Sequence, residues 1–511
     1  MTAARPWWQR RDVAVLLVLL ATVPLLYPPI PPLVDLPGHM GRYAVQLSPP
    51  DSPLRQFYEF RWALIGNLGV DLLIIPVAKL FGLELGVKLI ILAVPALTVA
   101  GLLWISREAH GAVSPTALWA APLSYSQPLH YGFANYTLAI ALALLAFGWW
   151  LRLTRQNRLR LRAAAFAVVA PLLWLCHTFG WGVFGLLAAP AELIRQRGAG
   201  RGWGAAVTTA ALHCLPLLPP LFLIMWWRWH TGGAGEIAGV LDWADKLTWA
   251  AAVLRDRWQL FDQLGAATLL AVLAIMICSS AWRFDRTLTA VALTLLVAFI
   301  LMPRVVMGSD AADMRLIPYA LALGLLAARP SEDSAGASRW AFAGAAFLAV
   351  RLAATTASLA IASQQYRAAL PALDHVPMGA RLFSMVREPC AGEWAHNRLT
   401  HLPGIAAVRR EAYSNEQWDG DGAQLLRSRL GAPGYEVDGS ERVLDDNCGV
   451  GRRPSVSRKL MGLPRDKFDY VWLIDLGSAD PAALRGLTLI WANGRNKLYR
   501  VMDKGPLSPP R

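Results

Sequence analysis

The sequence predicts a polytopic α-helical membrane protein of about 11 transmembrane helices with a C-terminal extracytoplasmic α/β domain. Three observations predict it. Hydrophobic residues make up 55% of the 511-residue chain and charged residues only 16%, whereas a soluble domain carries roughly 25% charged residues. Apolar runs recur up to about residue 363 and then give way to a polar remainder. Arginines gather between the runs, as at Arg152, Arg155, Arg158, Arg160 and Arg162. That gathering is the positive-inside bias, so the net charge of +14 reflects topology and not nucleic-acid binding. Disorder is excluded, because it needs low hydrophobicity and high charge. Length and only 5 Cys exclude a small disulfide scaffold.

The elements follow in order. Arg5, Arg10 and Arg11 precede an apolar run over 13–27, and prolines rather than a small-residue cleavage site come next. This reads as an uncleaved first span with a cytoplasmic N-terminus. The first outer loop is 28–66. Apolar stretches then cover 67–81, 85–105, 117–129 and 131–150. Four crossings there would put the arginines of 152–162 on the wrong side, so one stretch does not cross. The choice is 117–129, which is short and holds Pro122, Gln127 and Pro128; 67–81 is the alternative. Further spans are expected near 163–177, 183–193, 205–226, 264–281, 288–302, 316–328 and 340–361. Together these make a helical domain over 1–363 and an outer domain over 364–511.

In the outer domain, 468–476 and 382–386 read as strands. An Asn493-Gly494 turn joins a hairpin, and 423–430 reads as helix. An extracytoplasmic location permits a Cys390–Cys448 disulfide; two free thiols are the alternative.

Charged groups at mid-membrane cost about 2.5–3.5 kcal/mol each, so each needs a reason. Asp35, His39 and Arg42 fall within eight residues directly after the first span. His39 and Arg42 share a helical face, and Asp35 is placed to cap that helix. Asp71 sits in an apolar run, either near the interface or paired inside the bundle. His130, Asn135 and His177 lie at outer span ends, as interfacial groups or as ligands. Asp310 and Asp313 are three apart in one outer loop. They suit either a divalent cation such as Mg or Mn, or a salt bridge to Arg315. Arg351 lies eleven positions into its span, too deep to snorkel easily, and calls for an anion: Asp71 or a lipid phosphate. There is no Walker loop, metalloprotease helix or nucleophile elbow.

This layout of a first span, an acid in the first outer loop and an outer C-terminal domain resembles a GT-C glycosyltransferase. Asn67-Leu-Gly-Val-Asp71 through Lys79-Leu-Phe-Gly82 is similar to that family's second-span region. The segments 35–43, 132–136 and 401–410 resemble bacterial membrane proteins related to it. The resemblance implies an enzyme of the bacterial inner membrane that moves a sugar from a polyprenyl-phosphate carrier to a glycan, lipid or protein acceptor on the outer face. It implies Asp35 as the catalytic base, with His39 in a base or metal role. Arg42, Arg315 and Arg351 would meet the leaving phosphate, and Asp71, His130, Asn135 and His177 would line the donor site. Two other readings stay open: a transporter or lipid flippase using Asp71 and Arg351, and a non-catalytic polysaccharide-assembly protein.

Overall fold

The computed structural model describes residues 5–505, apart from 232–236, 307–308, 332–333, 391–392, 420–424, 432–440, 447, 449–452 and 478. The chain forms two compact units. One comprises Met1–Tyr27, Leu64–Leu72 and Leu89–Ala357; the other comprises Pro28–Ala63, Leu73–Lys88 and Ser358–Arg511. The sequence reading groups the first outer loop with the spans. In the structure Pro28–Ala63 packs instead with the C-terminal region, because its apolar residues complete that region's core.

The first unit is almost wholly helical. Among the described residues five helices are long and apolar enough to cross a membrane: Leu83–His110, Ala134–Arg155, Leu159–Cys176, Gln259–Cys278 and Gly336–His375. A sixth is counted if Trp203–Leu217 and Pro219–Trp229, bent by 59°, form one span. Arg286–Leu301 and Ile317–Ala327 are shorter apolar helices. The stretch around 117–129 is not a continuous helix. It breaks into Ala117–Ala120, Ala121–Tyr125 and Gln127–Tyr131, since Pro122 and Pro128 each interrupt the backbone hydrogen-bond ladder. The first apolar run is also divided, into Arg11–Leu20 and Val23–Leu26. Trp150, Phe166 and Phe184 are buried and pack with centroids 5.0–6.0 Å apart. Beside them, buried Arg162 donates to buried Glu192 at 2.9 Å.

The second unit is built on a mixed sheet. Arg381–Arg387 pairs in parallel with Tyr470–Ile474, Tyr413–Ser414 and Arg442–Val443. Tyr470–Ile474 pairs antiparallel with Asn496–Val501, which forms the hairpin with Leu487–Asn493. Residues 382–386 are all buried, as a central strand covered on both faces requires. Gly494 supplies the positive φ of the hairpin turn. The expected helix at 423–430 is not formed: Ala423 and Gln424 lie outside the described residues, and Leu426–Ser428 is a strand. It pairs antiparallel with Tyr58–Phe60 of the first outer loop. Cross-strand pairing overrides the local helical composition there. Phe57, Tyr58, Phe383, Tyr413 and Phe468 share one core with residues of all the main strands. Cys390 and Cys448 are joined by a disulfide.

Candidate active site

Helix Leu36–Leu47 starts at Leu36-Pro37-Gly38. Proline suits the first turn, where its missing N–H has no partner to lose. Asp35 occupies the N-cap position, but its side chain makes no capping hydrogen bond, contrary to the sequence reading. Its backbone is in the helical region, φ −85° and ψ −13°, and not in the β region a capping side chain uses. The carboxylate instead lies 3.7 Å from Nε2 of His401. The other ring nitrogen of His401, Nδ1, is 2.5 Å from Oε1 of Glu416. Glu416 is buried at 1% exposure, His401 at 8%, while Asp35 keeps 20%. One imidazole therefore sits between two carboxylates, with only Asp35 reaching the surface. The carboxylate on Nδ1 orients the ring so that Nε2 faces Asp35.

Close backbone approach makes this arrangement possible. His401 precedes a second Leu-Pro-Gly, Leu402–Gly404, which packs against the first. A Cβ on Gly404 would lie 2.5 Å from the carbonyl oxygen of Pro37. A Cβ on Gly38 would lie 2.6 Å from the Trp418 ring and 2.8 Å from Oε1 of Glu416. Trp418 packs against His401 and His39 with tilted rings, at centroid distances of 4.5 and 5.2 Å. Buried Arg398 donates to the carbonyl of Pro32 at 2.6 Å, tying the His401 segment to the chain ahead of Asp35.

His39 and Arg42 follow on the same helix. Burial, with added positive charge from Arg42 and His401, holds the His39 imidazole well below its ordinary range, so the ring stays neutral. Arg42 is buried, its guanidinium 5.2 Å from the Tyr43 ring. Nδ1 of His39 and both amide atoms of Gln417 are buried without a hydrogen-bond partner among the described residues. Such groups cost about 1–3 kcal/mol each unless solvent or a polar ligand engages them.

The remaining sequence candidates lie in the helical unit. Asn135 donates to Asp71 at 3.0 Å and accepts from the Val70 amide at 2.6 Å, so this pair anchors the start of helix Gly69–Phe81. His177 caps helix Thr178–Gly198 by accepting from the Phe179 amide at 3.1 Å. Buried His130 packs 6.1 Å from Tyr125. Arg315 lies over the rings of Phe133, Phe179 and Tyr136, at 4.6, 5.2 and 5.4 Å. It donates to the hydroxyl of Ser309 and the carbonyl of Asp310.

Two expectations are corrected. Arg351 does not meet Asp71: it donates to Asp262 at 3.0 Å and to the Leu254 carbonyl at 2.8 Å. Helix Gln259–Cys278 brings that acid alongside, and a full carboxylate satisfies the guanidinium within the bundle. Neither Asp310 nor Asp313 bridges to Arg315. Asp310 pairs with Arg304 at 2.9 Å and Asp313 with Lys246 at 2.6 Å. Separate cations therefore hold the two acids. Among the described residues no group of three or more His, Cys, Asp or Glu is arranged to hold a metal ion.

His401, Glu416, Gln417, Trp418 and Arg398 carry no local signal of their own. Besides the resemblance of segment 401–410, a hint is the repeated Leu-Pro-Gly, preceded once by Asp35 and once by His401.

No family model and no curated protein matches the chain. Among solved structures, the cryo-EM structure of arabinofuranosyltransferase AftD from Mycobacteria is similar, at 16% identity and a TM-score of 0.43. The match covers 99% of this chain and 40% of that one, so this chain spans well under half of that protein's length.

Proposed function

We propose that the protein is a membrane glycosyltransferase of GT-C type. It moves a sugar from a polyprenyl-phosphate carrier to an acceptor hydroxyl at the outer face of the bacterial inner membrane. The observation that carries this reading is the part-exposed Asp35 carboxylate facing the buried His401–Glu416 pair. A carboxylate backed by an imidazole and a second acid suits general-base work, because the imidazole can take up charge as the proton arrives.

In the proposed reaction Asp35 accepts the proton of the acceptor hydroxyl. The hydroxyl oxygen attacks the anomeric carbon from the face opposite the carrier phosphate. The carbon–oxygen bond to the phosphate breaks, the carrier leaves as polyprenyl phosphate, and configuration inverts. Arg42 is the cation nearest Asp35 in sequence and is suited to the charge that develops on the leaving phosphate. The orphaned amide of Gln417 and Nδ1 of His39 offer hydrogen bonds to sugar hydroxyls, and Trp418 offers an aromatic face. No metal is needed to balance this reaction.

The test is Asp35→Asn in the purified full-length protein, assayed for transfer of radiolabelled sugar from a polyprenyl-phosphate donor. Removing a general base lowers rate by about 10²–10⁴-fold. A folded Asp35→Asn protein with full transfer activity refutes the assignment.

A further inference from the structure

The helical unit contains a cavity of about 450 Å³, within the roughly 300–1,000 Å³ of small-ligand sites. Arg5, Arg10, Arg11, Arg107, Arg152 and Trp104 line it, and no acid does. Three separate segments bring these arginines together. Arg5, Arg10 and Arg11 come from the N-terminal stretch. Arg107 lies in the last turn of Leu83–His110 and Arg152 in the last turn of Ala134–Arg155. Gly111, at φ +79°, ends the first of these helices and folds the chain back to form part of the wall.

A helix C-terminus favours a cation near its free carbonyls, which accounts for one arginine per helix end. It does not account for five around one hollow. The local acids are engaged elsewhere or only partly compensate. Asp12 pairs with Arg10 at 2.6 Å, and Glu108 pairs with Arg155, which does not line the cavity. Among the described residues Arg5, Arg11, Arg107 and Arg152 have no carboxylate partner. Four guanidinium groups converging without an anion repel one another, and a phosphate relieves that repulsion while accepting forked hydrogen bonds. Leu103 and Val113 make part of the same wall apolar, as the glycerol and upper acyl region of a lipid requires.

We propose that this cavity binds a phosphate group, carried by an anionic phospholipid headgroup or present as free phosphate. If 67–81 is the stretch that does not cross, the alternative in the sequence topology, all these arginines lie on the cytoplasmic side, where anionic lipids attract basic groups. The site is independent of the sugar-transfer reading.

The test is native mass spectrometry of the full-length protein in detergent. It is titrated with dioctanoyl phosphatidic acid, dioctanoyl phosphatidylcholine or inorganic phosphate. Phosphatidic acid should bind saturably and phosphatidylcholine should not. Arg107→Gln/Arg152→Gln should weaken phosphatidic acid at least tenfold. Arg158→Gln/Arg160→Gln, which removes equal charge from exposed arginines outside the cavity, should not. Displacement of the lipid by millimolar phosphate identifies free phosphate as an occupant; failure to displace identifies the lipid headgroup. Arg5→Gln/Arg11→Gln supplies an equivalent variant on another segment if the first pair does not fold. Unchanged affinity in the cavity variants, equal loss in the control pair, or equal binding of phosphatidylcholine overturns the proposal.

Discussion

Substituting Gly404 by Ala tests how closely the two Leu-Pro-Gly turns must meet for the candidate site to exist. The backbone at Gly404 is helical, φ −55° and ψ −23°, so alanine can adopt it and the effect is purely steric. The new Cβ would stand 2.5 Å from the Pro37 carbonyl oxygen, 2.9 Å from its carbon and 3.0 Å from the Gly38 Cα. All three are backbone atoms, so no side chain can swing aside. Restoring an ordinary carbon–oxygen contact requires the segments to part by about 1 Å. Overpacking of this kind costs about 1–3 kcal/mol. The same 1 Å would carry His401 away from Asp35, now 3.7 Å distant. A misplacement of that size costs on the order of 100-fold in rate. The assay pairs thermal unfolding of the purified protein with initial rates of labelled-sugar transfer. Gly185→Ala is the control: it lies within helix Thr178–Gly198 with open space where its Cβ would go. That change should be neutral or stabilising by up to about 1 kcal/mol. A Gly404→Ala protein with wild-type unfolding and wild-type rate would refute both the close packing and its role in aligning Asp35.

Two more outcomes follow from the charge arrangement. Arg351→Met should destabilise the helical unit by about 3–5 kcal/mol, because it leaves buried Asp262 without its cation. Arg351→Met with Asp262→Leu should recover most of that loss; a single variant as stable as wild type in thermal unfolding would show that the pair contributes nothing. The depressed His39 value gives a pH dependence with a definite sign. Above about pH 6.5 the imidazole is neutral in both folded and unfolded chains. As pH falls through that value the unfolded chain takes the proton and the folded chain does not, so stability declines towards acid. One such group contributes at most about 1.4 kcal/mol per pH unit. Unfolding followed from pH 7.5 to 5 should show a shallower slope in His39→Gln than in wild type, and identical slopes would contradict the burial of that ring.

Local chemistry explains what the sequence made readable. Membrane spans depend on composition over about 20 residues, and the arginine runs mark their ends. The strands at 382–386 and 468–476 and the Asn-Gly hairpin likewise depend on neighbours in the chain, and the structure forms all of them. Asp35, His39 and Arg42 stood out because an acid, an imidazole and a guanidinium fall within eight residues.

What tertiary structure alone decided is which distant groups meet. The partner of Arg351, Asp262, lies 89 positions away and carries no local signal of the pairing. Glu59 and its neighbours became a strand because residues 426–428 supply the missing edge, although that segment reads locally as helix. His401 and Glu416 join Asp35 across more than 360 positions. Charge and hydrogen-bond pairing act through space over a few ångströms, and periodicity records only which face a residue occupies, so sequence spacing carries no trace of these partners.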